Sequence, residues 1–143
     1  MDPNNPIVKL CVEGMRAEGE NRFEDARRFF TQAWENSTDD FEACIAAHYL
    51  ARHQETPHDT LHWNQEALAR AAAVGDERVS GFYPSLYLNL GHSYEILGNL
   101  DEAARFYQLA SQGMEQLPDT RLSGIVRGAV EAGQKRIRSN PNL

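Results

Sequence analysis

Apolar residues along this chain recur at steps of three and four. Leu86, Leu90, Tyr94 and Leu97 lie on one face of a helix, as do Ala26, Phe30, Ala33 and Trp34, and Ala103, Tyr107 and Ala110. No run of four to eight residues alternates apolar with polar and carries the β-branched enrichment of a strand. The pattern therefore predicts an all-α chain.

Helix boundaries are marked by residues with a local physical reason to be there. Asn5 before Pro6 reads as an N-cap followed by proline at the first helical position, where the missing N–H costs nothing. Thr56-Pro57-His58-Asp59 repeats the device, with an acid near the positive end of the helix dipole. Asn99 with Glu102 has the spacing of a reciprocal cap. Gly75 and Gly98 follow apolar runs and suit the left-handed position after a helix. Seven helices are predicted, at about 4–19, 23–36, 39–54, 57–74, 77–97, 100–116 and 120–138. Connections of a few residues make neighbouring helices antiparallel. Pro84 falls inside the fifth and should kink or restart it near Ser80–Pro84. Residues 139–143 are expected to fray.

Composition narrows the class. The chain has 143 residues, 41% of them apolar, which suits one compact domain and not a disordered tail. A formal charge of −7 opposes general affinity for nucleic acid. No stretch approaches the roughly 20 apolar residues of a membrane span, and MDPNNPIV lacks the basic-then-apolar order of a signal peptide. Two cysteines, Cys11 and Cys44, suit a reducing compartment, so a cytoplasmic location is expected. The basic residues are 12 Arg with only Lys9 and Lys135, a usage that reflects genome base composition and suggests a bacterial origin.

The segment Leu86–Ala110, LYLNLGHSYEILGNLDEAARFYQLA, resembles the tetratricopeptide repeat, a helix-turn-helix unit of about 34 residues. Tyr87, Leu90, Gly91, Tyr94, Gly98, Ala103, Tyr107 and Ala110 fall at its signature spacings. A second copy lies at Leu10–Trp34, where Gly14, Ala26, Phe30 and Ala33 match Gly91, Ala103, Tyr107 and Ala110. This copy departs from the pattern at Glu13 and Ala17. A weaker middle copy spans Phe41–Ala71, with Ala67 at the last small position, Ala47 or His48 at the crossing, and Asn64 beside Trp63 where an aromatic is usual. The final helix has no partner, and Leu122, Ile125, Val126, Ala129, Ala132 and Ile137 would form its apolar stripe, with Arg127, Lys135, Arg136 and Arg138 solvated. The resemblance implies a right-handed α-α superhelix: a single domain over 1–138, with repeats at about 6–37, 39–74 and 77–116 and a capping helix at about 120–138.

What the resemblance implies about function is a non-catalytic protein-interaction module holding a peptide or partner segment in a concave groove lined by the first helix of each hairpin. Carried over by register, the inward positions fall near Cys11, Met15 and Glu18, then Cys44, His48, Ala51 and Arg52, then Ser85, Asn89, His92 and Glu95. Partner contact is expected at His48, Arg52, Asn89 and His92, with Ser85, Glu95 and Met15 at the margin. Arg52 suits a carboxylate, and the histidines suit hydrogen bonding or titration. The same residues would equally satisfy one another between stacked helices. A small-molecule binder or enzyme built on His48, Arg52, Asn89 and His92 is the alternative.

Other chemistry has weaker signals. Phe82, Tyr83, Tyr87 and Tyr94, with Trp63, read as core, since an acidic chain lacks the cationic groove that accompanies base stacking. His58 and His62 are four apart, but no third ligand stands at a firm spacing, so no metal is expected. Cys44 and His48 lack an orienting acid, which argues against a nucleophile. Neither a dinucleotide nor a P-loop fingerprint is present, and no cofactor is expected. Residues 119–143 carry five basic and two acidic side chains, net +3, against −10 for the rest. A basic cap on an acidic body would favour weak self-association; a solvated helix face accounts for the same pattern.

Overall fold

The computed structural model describes residues 2–141, and among them there are helices and no strand. The order is α1 (Pro6–Gly19), α2 (Phe23–Asn36), α3 (Asp40–Leu50), a 3-10 turn (Ala51–His53), α4 (Pro57–Val74), α5 (Glu77–Ser80), α6 (Tyr83–Ile96), α7 (Leu100–Met114) and α8 (Arg121–Arg138). They form two compact units, the first running to Gly75 and the second starting at Asp76. No helix among the described residues is long and apolar enough to cross a membrane. The last two residues of the expected frayed tail, 142 and 143, lie outside the described residues.

The predicted caps hold the helix starts. The Asn5 side chain accepts from the N–H groups of Ile7 and Val8 at 2.7 and 3.2 Å, and Thr56 accepts from Asp59 at 3.1 Å. The fifth predicted helix is in fact two. Asp76 caps a short α5, the chain turns at Gly81–Phe82, and α6 begins with Pro84 in its first turn, where no N–H is required. The third is shorter than expected. It tightens into the 3-10 turn after Leu50, whose carbonyl accepts from the Gln54 side chain at 2.8 Å.

The turns after α1 and α6 are alike. Asn21, at φ 61°, donates its N–H to Glu18 (3.0 Å), and Arg22 donates to Ala17 (2.8 Å). Gly98, at φ 81°, donates to Glu95 (3.0 Å), and Asn99 donates to Tyr94 (2.9 Å). Both are Schellman closures, which satisfy two orphan carbonyls of the preceding helix. This corrects the expected reciprocal cap. The Asn99 side chain accepts from Glu102 N–H at 3.3 Å, but its own N–H is spent on Tyr94, and the Glu102 carboxylate turns to Arg105.

The α1–α2 and α6–α7 hairpins each cross where a glycine meets an aromatic ring. A Cβ on Gly14 would lie 2.3 Å from the Phe30 ring, and one on Gly91 would lie 2.8 Å from Tyr107. Phe30 stacks on Tyr49 of α3 at 5.1 Å. Tyr107 is also pressed against Gly133 of α8, where a Cβ would come within 2.5 Å. Both rings are completely buried. Gly14, Glu18, Asn21, Ala26, Phe30 and Ala33 recur 77 positions later as Gly91, Glu95, Gly98, Ala103, Tyr107 and Ala110.

Helix α8 is rotated away from its predicted stripe. Ile137 of that stripe is buried and Val126 half-buried, but Leu122 and Ile125 are 70% and 60% exposed, Ala129 and Ala132 face solvent, and Ser123, Val130 and Gly133 are buried in their place. Two contacts, one tertiary and one at the helix start, set the rotation. Gly133 admits the Tyr107 ring, and the Thr120–Ser123 capping box turns Ser123 inward. Of the arginines expected to be solvated, Arg136 is half-exposed and also bound to Glu95.

Adding a methyl at Gly14 or Gly91 should therefore cost about 1–3 kcal/mol by overpacking. At Gly124, where nothing lies within 4 Å, alanine should stabilise by roughly 0.5–1 kcal/mol through helix propensity. Urea titrations of the three variants check the sign at each site. The same measurement on Leu122→Gln and Ile125→Gln should show changes within about 0.5 kcal/mol, whereas Val130→Ala should lose more than about 1 kcal/mol.

Candidate functional site

The predicted contact residues fall into two groups. In the first unit, Met15 is exposed on α1, while His48 and Arg52 follow one another at the end of α3 and its 3-10 turn. In the second, Ser85, Asn89, His92 and Glu95 lie along α6, with His92 exposed and the other three half-buried. Cys11, Cys44 and Ala51, also assigned to the inward face, are core residues instead, at 2%, 1% and 5% exposure. Their helix faces are covered by neighbouring helices of the same unit.

The polar residues of the first unit are organised by Glu18. Its carboxylate takes a hydrogen bond from Arg52 Nη1 at 3.1 Å and pairs with His53 Nε2 at 2.7 Å. The Arg52 guanidinium also lies 4.9 Å over the Tyr49 ring. Half of Arg52 remains exposed, so the clasp leaves N–H groups directed at solvent. His48 packs edge-on to Tyr49 at 5.0 Å. Burial, reinforced by the Arg52 charge, pushes its imidazole down to about 4, so it is neutral at physiological pH. His53 was missed as a Glu18 partner, because nothing local in the sequence links positions 18 and 53.

Glu95 has the corresponding place in the second unit. It accepts from Tyr107 Oη at 2.7 Å and from Arg136 Nε and Nη2 at 2.8 and 3.1 Å. Arg136 first, and the Tyr107 hydroxyl after it, hold the Glu95 carboxyl below its usual range against the cost of burial. Burial and the facing carboxylate drive the Tyr107 phenol well above its ordinary value. Glu95 thus ties α6, α7 and α8 together, which leaves little of its hydrogen-bonding capacity for a partner.

Of the aromatic cluster, Tyr83 packs on Tyr87 at 5.7 Å and Tyr94 stacks on Phe106 at 5.6 Å. Trp63 belongs elsewhere, edge-on to Trp34 at 4.9 Å. Desolvation raises the Cys11 thiol to about 12 and Cys44 to about 11, so both are protonated and unreactive at neutral pH. His58 and His62 are exposed on α4. Among the described residues, no group of three or more His, Cys, Asp and Glu is arranged to hold a metal ion.

A cleft of about 500 Å³ opens in the first unit where α2 ends and α3 begins. Trp34 and Arg70 form its walls, and Glu35, Asp39 and Asp40 its rim. None of the residues predicted for partner contact lines it. Helical periodicity could not have found it, because Trp34, Asp40 and Arg70 come from three different helices.

No protein-family model, curated protein or solved structure shows a significant match to this chain.

The His48 environment fixes a pH dependence. Its folded value lies below the unfolded value near 6.5, so the unfolded chain binds the extra proton between them. Its stability contribution is complete above about 6.5 and is lost as pH falls toward about 4. Urea midpoints should drop between about pH 7 and about pH 5, and His48→Gln should shrink that drop. An unchanged pH difference in the variant would show that other groups carry it.

Proposed function

We propose that the chain is a small tetratricopeptide-type module, a right-handed α-α superhelix that binds a peptide or partner segment without chemistry of its own. The reading is supported chiefly by the recurrence of one hairpin design, Leu10–Trp34 and Leu86–Ala110, with the same Schellman turn, the same glycine–aromatic crossing and the same carboxylate at the end of the first helix. A repeated hairpin of this kind offers a preformed surface, so that a ligand loses little beyond its own conformational freedom.

Arg52 and His92, with Met15 beside them in rank, are the residues best placed to reach a partner, since each leaves a large part of its side chain in solvent. Asn89 and Ser85 contribute from the same helix as His92. His48 and Glu95 act by positioning: His48 supports Tyr49, and Glu95 holds Arg136.

Affinity capture from native extract, followed by titration of the purified partner, tests this. Arg52→Ala and His92→Ala together should weaken binding at least about tenfold, the effect of losing one charge-assisted hydrogen bond. The fold should survive, because the exposed Arg52–Glu18 pair contributes at most about 1 kcal/mol. Partner affinity unchanged in the double variant would remove both residues from the function.

A further inference from the structure

The cleft at the α2–α3 junction is chemically one-sided. The Ser37 hydroxyl donates to the Ala33 carbonyl at 2.7 Å. The Thr38 hydroxyl and N–H both donate to Glu42 Oε1, at 3.0 and 2.9 Å. Arg70 gives Nε to Glu66 at 2.8 Å and Nη1 to Asp40 at 2.9 Å. Apart from the outer N–H groups of Arg70 and the Trp34 indole N–H, the side chains of the cleft therefore present lone pairs: both hydroxyl oxygens and the carboxylates of Glu35, Asp39 and Asp40. Asp39 uses one oxygen to cap α3, accepting from Glu42 N–H at 2.8 Å.

The field is negative as well. Three carboxylates line the cleft against one guanidinium, and Glu42 stands directly behind. Hydrogen bonds from Thr38 and Asn5 hold the Glu42 carboxyl below its usual range, so it stays ionised. What fits here brings donors and positive charge.

The wall indicates which cation. Arg70 already places its guanidinium 5.2 Å over the Trp34 ring while bridging Asp40 and Glu66, so the site accommodates one planar cation from the protein itself. Trp34 is braced edge-on by Trp63 and is not free to swing away. A flat ring with acceptors on two sides matches the planar, multi-donor fork of arginine better than a compact ammonium. The volume, about 500 Å³, falls in the range of pockets that enclose a ligand.

We propose that this cleft is a docking site for an arginine side chain of a partner peptide, stacked beside Arg70 on Trp34 and held by Glu35, Asp39 and Asp40. It uses neither Arg52 nor His92, so either reading can fail without the other.

The test uses the full chain, nitrogen-labelled, with the Trp34 and Trp63 indole N–H signals assigned through Trp34→Phe and Trp63→Phe. A blocked Gly-Arg-Gly tripeptide is titrated alongside its citrulline and lysine counterparts and free spermidine. The arginine peptide should shift the Trp34 signal saturably, with the citrulline peptide at least about tenfold weaker and lysine and spermidine also weaker. Glu35→Gln with Asp39→Asn, which keeps an N-cap residue at 39, should weaken arginine binding at least about tenfold and reduce its salt dependence. Should the double variant lose its helical circular dichroism, Glu35→Gln alone serves, and a several-fold loss is expected. No saturable Trp34 shift by about 10 mM peptide, equal binding of citrulline, or unchanged affinity in the charge-neutral variant overturns the proposal. Spermidine binding more tightly than the peptide also overturns it, in favour of a free polyamine site.

Discussion

A ring pressed against a bare backbone governs both halves of this protein. Phe30 on Gly14 and Tyr107 on Gly91 bring paired helices closer than any side chain would permit. Because interiors pack at crystal-like density, such a contact leaves the ring one position, and the helices cannot rotate without opening a void. In the second unit the constraint is stronger: Gly133 closes on the same Tyr107 ring, so one aromatic residue holds three helices in register. In the first, Tyr49 takes that role by stacking on Phe30.

The polar chemistry follows from those crossings. Once each ring is seated, the carboxylate at the end of the first helix meets an arginine from a third element: Arg52 of the 3-10 turn for Glu18, Arg136 of α8 for Glu95. The two clasps differ in detail because Tyr107 carries a hydroxyl that Phe30 lacks, and because His53 fills the vacant side of Glu18. Half-exposed arginines at these places contribute little to stability. They keep fixed donors on the surface.

Partial legibility of the site has a physical basis. Arg52 and His92 stand at accessible positions, and helical register decides which residues share their faces. Cys11, Cys44 and Ala51 were misassigned to the same faces, because register does not say which face a third helix will cover. The Trp34 cleft carried no sequence signal at all. Its aromatic wall, rim and resident cation are distant in the chain, and only the α2–α3 turn and the position of α4 bring them together.

By itself, the sequence determined what is local: helical periodicity, the Asn5, Thr56 and Asn99 caps, the interruption at Pro84, and the small-against-large pairing at the two crossings. Each depends on residues within about one hairpin, where propensity and capping energies act directly. Tertiary structure alone decided the rotation of α8, the partners of Glu18 and Glu95, and the burial of the two thiols. Leu122 and Ile125 had the better apolar stripe, yet α8 turns a glycine and a serine inward. The Tyr107 ring seated on Gly133, with Val130 and Ile137 buried, outweighed the exposure of Leu122 and Ile125, and that balance can be struck only between segments distant in the chain.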